Sequence, residues 1–241
     1  MAYRKPTLVE TYAELHLVTG TLTEARFFDV VPKLKELGFT EVELATAGLS
    51  FDIKPGRLGM PRETQRVRCW KPGRQELAQV GEDLFVVNLT GEYPGWDSFV
   101  RLFNEGLGAL EAGLGGSSLR SLNLLTRDQF QVPREGFSVA EYLDVGGRVI
   151  PKWYEDCHES LDLSIGRGLL EPDGHNRQIQ VGVRAAADPV TIAFQAAFHD
   201  LVQEGANPRA MLEALHNESN DTFESLITNR TRDQVMGGRA A

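Results

Sequence analysis

The strongest constraint on the fold is a run of three strand-length segments, residues 64–70, 75–80 and 84–90. They are separated only by Lys71-Pro72-Gly73-Arg74 and Gly81-Glu82-Asp83. Connections this short leave no room for a crossover, so the three segments form an antiparallel meander. Upstream, residues 8–18 alternate: Val9, Ala13, Leu15 and Leu17 share one face, and Glu10, Glu14 and His16 share the other. That is the pattern of a half-buried strand. A sheet with one apolar face needs helices to cover it, and the chain supplies them. Thr23 is an N-cap for a segment carrying Phe27, Val30, Val31, Leu34 and Leu37, with Gly38 at its end; Pro32 predicts a kink or a later start. Phe39 to Ala45 reads as a strand and residues 50–63 as a loop. Asp97 or Ser98 caps a helix presenting Phe99, Leu102, Phe103, Leu107 and Leu110.

The second half partly repeats this order, although no residue motif recurs at a fixed period. It reads as a strand at 118–126, a short helix near 138–144, strands near 157–170 and 176–186, and helices at 189–204 and 208–227. Asn207-Pro208 supplies a cap and a first-turn proline for the last of these. The expected fold class is α+β, a mainly antiparallel sheet packed by helices. It forms a single domain over residues 1–230 with possible related halves 1–113 and 114–230, and residues 231–241 form a flexible tail with nothing to bury.

Composition narrows the function. There are 34 Asp and Glu against 25 Lys and Arg, a formal charge of −9. An acidic surface repels phosphate backbones unless a basic stripe intervenes. The one candidate stripe is Lys54, Arg57, Arg62, Arg66, Arg68, Lys71 and Arg74. It reads as a solvated loop and hairpin rather than a nucleic-acid surface. Cys69 and Cys157 are far apart and outside any CxxC pair, so both read as reduced, partly buried small hydrophobes. The N-terminal residues carry no leader pattern and no apolar run approaches a membrane span, so the chain is expected in the cytoplasm and off the membrane.

The common hydrolase, NTPase, zinc-protease and dinucleotide signatures are absent. The most chemical-looking pieces are two Glu-x-x-His segments, Glu155 to His158 and Glu213 to His216. On a helix this spacing stacks carboxylate and imidazole one turn apart, as in di-metal carboxylate bundles. The first pair falls in a strand-like stretch, where such positions oppose each other, so the favoured reading of Glu213, His216, Asn220 and Glu224 is a polar helix face. His199-Asp200 lies near an expected helix end without a nucleophile beside it. Trp70, Trp96 and Trp153 read as core or seam residues. Neither a metal nor a cofactor is expected.

Several pieces, taken in order, resemble a sporadically distributed, uncharacterised prokaryotic protein family of similar length. They are Tyr3, Pro6 and Leu8-Val9-Glu10; Gln79-Val80, Asp83-Leu84 and Asn88; Tyr93-Pro94-Gly95-Trp96 with Phe99; and Leu119-Arg120-Ser121-Leu122-Asn123. Leu161-Asp162, Leu215-His216, Phe223 and Leu226-Ile227-Thr228 complete the set. The family has Arg-Tyr-x-Asn where Ser121 stands here. The resemblance implies a shape and size, and mobile-gene roles such as phage defence or toxin control. Arg120 and Asn123 are its polar residues of interest. On a regular strand they face opposite ways unless a bulge intervenes, and Arg120 is expected to bridge to Glu10 or Asp162. The missing catalytic chemistry favours a non-enzymatic accessory protein that binds another protein or itself. The alternative is a small-ligand binder or unfamiliar enzyme, with a polar pocket between sheet and helices drawing on Glu10, His16, Arg120, Asn123 and Asp162.

Overall fold

The computed structural model describes residues 3–18, 24–50, 53–54, 57–58, 62–114, 119–144, 160–168, 176–184, 188–203 and 205–238. Of these, residues 24–28, 46–50, 53–54, 57–58, 62–65 and 160–168 are described by their backbone alone. The fold is α+β, and its centre is one nine-stranded antiparallel sheet. In chain order the elements are β1 (Leu8–Leu17), α1 (Glu24–Glu36), β2 (Glu41–Ser50), the small hairpin β3 (Ile53–Lys54) and β4 (Arg57–Leu58), and β5 (Arg62–Trp70). There follow β6 (Glu76–Gly81), β7 (Leu84–Thr90), α2 (Trp96–Leu114), β8 (Leu119–Val132) and α3 (Val139–Tyr142). The chain then forms β9 (Ser160–Gly168), β10 (Asn176–Arg184), β11 (Val190–Leu201), α4 (Pro208–Leu226) and a π-helical turn (Thr231–Val235).

The sheet order is β2-β5-β6-β7-β1-β8-β11-β10-β9. One path is traced twice. Each half starts on a central strand (β1 or β8) and carries a helix (α1 or α3). It resumes at a sheet edge (β2 or β9) and meanders back until its last strand, β7 or β11, pairs with the first. A long helix, α2 or α4, ends each half. The halves meet where β1 and β8 run antiparallel, with Ala13 opposite Leu124.

Alternation then sorts the side chains. Ala13, Leu15 and Leu17 of β1, Phe85 and Val87 of β7, and Leu122 and Leu124 of β8 share one apolar cluster with Val30 and Leu34 of α1, Phe99 and Phe103 of α2, and Leu212 and Leu215 of α4. The four α-helices among the described residues therefore cover one face, and none of them packs on the other. Helices α1 and α2 touch through Gly113, where an added Cβ would lie 2.8 Å from Val30 Cγ2 and 2.9 Å from Val30 Cα. Only a glycine permits that approach.

Three expectations are corrected. The stretch 50–63 is not wholly loop, since it carries the β3–β4 hairpin and the start of β5. Residues 189–204 do not form a helix: β11 runs from Val190 to Leu201. Val190, Ile192, Phe194, Ala196 and Phe198 are buried on strict alternation, and both edges of the strand are paired, to β8 and β10. The C-terminal segment is not a free tail. Thr231 and Met236 are buried, and Met236 and Gly238 carbonyls accept from Lys5 and Arg4 N–H at 3.1 and 3.3 Å. Local composition gave no apolar run here, but the first strand's lead-in offers free backbone donors that this segment satisfies. Asn207 caps α4 as expected, accepting from Arg209 N–H at 3.0 Å. Helix α1 does not start after Pro32: it runs from Glu24 to Glu36 with the proline in its interior.

Candidate functional site

The junction of the halves holds a cavity of about 640 Å³ on the helix-covered side of the sheet. Its floor is β8. Leu122, Leu124, Thr126, Asp128, Phe130 and Val132 all point inward by alternation and are buried, so a carboxylate takes a place in an otherwise mostly apolar row. Asp128 is only 8% exposed. Thr7, just ahead of β1, donates to its Oδ1 at 2.8 Å, and Thr7 is itself fixed by Gln129 N–H donating to its carbonyl at 2.8 Å. The other Asp128 oxygen has no partner among the described residues. Burial raises the carboxyl to a pKa of about 6 against an ordinary 3.8, although the Thr7 hydroxyl opposes the shift.

The walls come from α4 and from the turn that opens α2. In Tyr93-Pro94-Gly95-Trp96, Gly95 adopts a φ of 108°, and its carbonyl accepts from Ser98 N–H at 3.2 Å. The turn thereby aims Tyr93, Trp96 and Asp97 at the cavity. The phenol of Tyr93 is held protonated, first by burial and then by the charges of Asp128 and Asp97. Trp96 lies flat on His216 of α4, with ring centroids 3.6 Å apart and planes 7° apart. Its indole N–H donates to both carboxylate oxygens of Glu213 at 3.1 Å. Glu213 and His216 are thus one helical turn apart and on the same side, as their spacing predicts. Burial lowers the His216 pKa, against the pull of Glu213, and neither ring nitrogen has a hydrogen-bond partner among the described residues. Ser219, behind them, shares a hydrogen bond of 3.1 Å with Thr126. At one end Tyr3 donates to Glu224 at 2.6 Å, and Met236 closes the wall.

The sequence-selected residues lie elsewhere, on the opposite face. Tyr12, Glu14 and His16 of β1 face Leu125, Asn123 and Ser121 of β8, and His199 of β11 faces Asn123 from the other side. Asn123 donates to Glu14 at 3.0 Å, contacts His16 Nε2 at 3.1 Å and meets Nδ1 of His199 through its amide oxygen. Burial pushes Glu14 up, but hydrogen bonds from His16 and Asn123 outweigh it and the net pKa is lowered. His199 is lowered, chiefly by burial and by its neighbour His16. His16 and Asn123 therefore do come together, with Glu14 and His199 added. Glu10 is four residues from Glu14 and accepts from Asn88 at 3.0 Å.

Arg120 is the extra residue of a bulge, since the register shifts from His16 opposite Ser121 to Leu17 opposite Leu119. It lies roughly 20 Å along the ladder from Arg127, the residue opposite Glu10, so it cannot bridge to Glu10. Asp162 sits on edge strand β9 opposite Gly182, three strands from β8, and its side chain is outside the described residues, as are Trp153, Glu155, Cys157 and His158. His199-Asp200 closes a strand, not a helix, and Asp200 pairs with Arg177 at 2.8 Å.

Two of the four stripe residues whose side chains are described, Lys71 and Arg74, are neutralised by carboxylates. Lys71 bridges Glu76 and Glu105 at 2.7 and 2.9 Å, Arg74 bridges Glu41 and Glu43 at 3.0 and 3.4 Å, and Arg68 donates to Gln79. Cys69 is fully buried, and burial pushes its thiol up to about 11, which makes it unreactive. Among the described residues no group of three or more His, Cys, Asp or Glu side chains is placed to hold a metal ion, and no helix is long and apolar enough to cross a membrane.

No protein-family model matches this chain, and no curated protein does. Asp128 lies beyond the strand expected at 118–126, because β8 continues to Val132; the alternation carried on by one period puts a carboxylate on the apolar face, which is the signal that marks it.

Proposed function

We propose that the protein binds a small molecule in the cavity between α2 and α4. The observation that carries this reading is Asp128, buried at the cavity floor with one carboxylate oxygen held by Thr7 and the other turned to the cavity without a partner. A polar group left unpaired in a low-dielectric site costs stability, and such groups persist where a ligand completes them. The volume of about 640 Å³ suits a small organic ligand. The supporting surroundings are Trp96 stacked on His216, the phenol of Tyr93 and the unused imidazole nitrogens, which offer apolar faces and polar tips together. Native mass spectrometry of the protein isolated from its own host tests the reading. A retained small-molecule mass, absent from an Asn220→Phe variant that fills the cavity, is expected. Protein that retains nothing, and whose melting temperature no metabolite extract alters, would refute it.

A second reading, an accessory protein in phage defence or toxin control, rests on the other side of the sheet. There the polar row of Glu14, His16, Asn123 and His199 lies under no described helix. On the helix-covered face, at the margin of the sheet, edge strand β2 exposes Val42 and Leu44 beside Cys69 and Val67, Leu44 being 69% exposed, and an exposed apolar edge invites pairing with another chain. Leu44→Lys should then abolish copurification of a protein partner while leaving the cavity's ligand in place.

A further inference from the structure

Resting on the ligand-binding reading, we infer that the ligand is a small organic cation, an amine or quaternary ammonium, whose charged nitrogen sits against Asp128. Three observations converge on that class. The cavity's lining includes Asp97, Asp128 and Glu213 and contains neither lysine nor arginine. An anion there would face the buried Asp128 carboxylate with no compensating charge, which low dielectric makes severe, while the exposed Asp97 and Glu213 add a weaker, water-screened repulsion. Second, the unpartnered Asp128 oxygen accepts from a donor and supplies a counter-charge, and charge-assisted hydrogen bonds are the strong ones. Thr7 fixes the carboxylate through Oδ1, so this oxygen is aimed before the ligand arrives. Third, Tyr93, Trp96 and Phe223 bring aromatic rings to the same space, and ring faces attract a desolvated cation.

A purely structural Asp128, present to accept the Thr7 hydroxyl, is the competing account. It predicts that an amide would serve as well as the acid, because Asn keeps the acceptor and the size. Asp128→Asn separates the two accounts.

Calorimetric titration of the full chain with matched probes tests the class. Phenethylamine, putrescine and choline are the cations, phenethyl alcohol is the neutral control and phenylacetate the anionic one. At least one cation should bind, with affinity falling roughly tenfold to a hundredfold in Asp128→Asn, and Asn220→Phe should abolish binding. Loss of cation binding in a folded Asp128→Asn, shown by an unchanged circular dichroism spectrum, supports the proposal. Undiminished affinity in that variant overturns it. Binding of the alcohol or phenylacetate in preference to every cation, lost in Asn220→Phe, overturns the cation assignment while the ligand-binding reading stands. No binding by any probe to a protein that still retains an endogenous neutral or anionic molecule has the same meaning. No binding together with no retained molecule removes both.

Discussion

Two carboxylates on neighbouring central strands, Glu14 on β1 and Asp128 on β8, make the most informative comparison in the molecule. Both are largely withdrawn from water, yet their pKa values move in opposite directions. On the face opposite the described helices Glu14 is met by Asn123 and His16, and the hydrogen bonds outweigh its desolvation. On the helix-covered face Asp128 has one hydroxyl and a cavity, and desolvation wins. Burial alone does not set the direction of the shift; the number of hydrogen bonds that meet the carboxylate does. Glu14 belongs to a satisfied network, whereas Asp128 keeps one oxygen without a hydrogen-bond partner among the described residues.

The sharpest control on the covered face has the largest expected effect. Gly113→Ala drives a Cβ into the Val30 backbone and should cost about 3 kcal/mol or more in urea unfolding. A neutral result would mean that α1 and α2 part easily at this contact. Next, Asp128→Asn should stabilise the ligand-free protein at pH 7–8 by roughly 1–3 kcal/mol, since a shift from 3.8 to about 6 is worth that much. Destabilisation would break the comparison by making Asp128 as structural as Glu14.

The pH dependence sharpens it further. The folded pKa of Asp128 lies above its unfolded value, so the native state takes up an extra proton between pH 3.8 and about 6. Its contribution is greatest below pH 3.8, declines through that window and is gone above it. Glu14 acts oppositely. Its lowered pKa contributes stability above the ordinary 4.5 that is lost as pH falls. Unfolding curves of the wild type and Asp128→Asn should therefore converge as pH falls from 6 to 4, and Asn123→Ala should weaken the acid-side loss that Glu14 causes.

Asn123→Ala itself should cost about 1–2 kcal/mol at neutral pH, since it leaves Glu14, His16 and His199 short of a partner. Smallest is Trp96→Phe, which keeps a ring for His216 to stack on but drops the half-exposed hydrogen bond to Glu213. A change within about 0.5 kcal/mol is expected, and a larger one would assign the indole N–H a structural role.

The sequence by itself determined the elements whose local signals agree with one another. The alternation of β1, the turn-bounded meander of β5 to β7, and the cap and first-turn proline of α4 carry their structure in adjacent residues. It also placed Glu213 and His216 on one helix face. Tertiary structure alone decided β11, whose Pro189 and alanines read locally as a helix but whose alternation pays only when β8 and β10 flank it. It alone docked the C-terminal turn against Arg4 and Lys5. Above all it made the cavity, where Thr7 meets Asp128 across 121 residues and Trp96 meets Glu213 across 117. Such separations leave no local pattern, because contacts closed by the sheet's long-range pairing are invisible to any window shorter than the halves themselves.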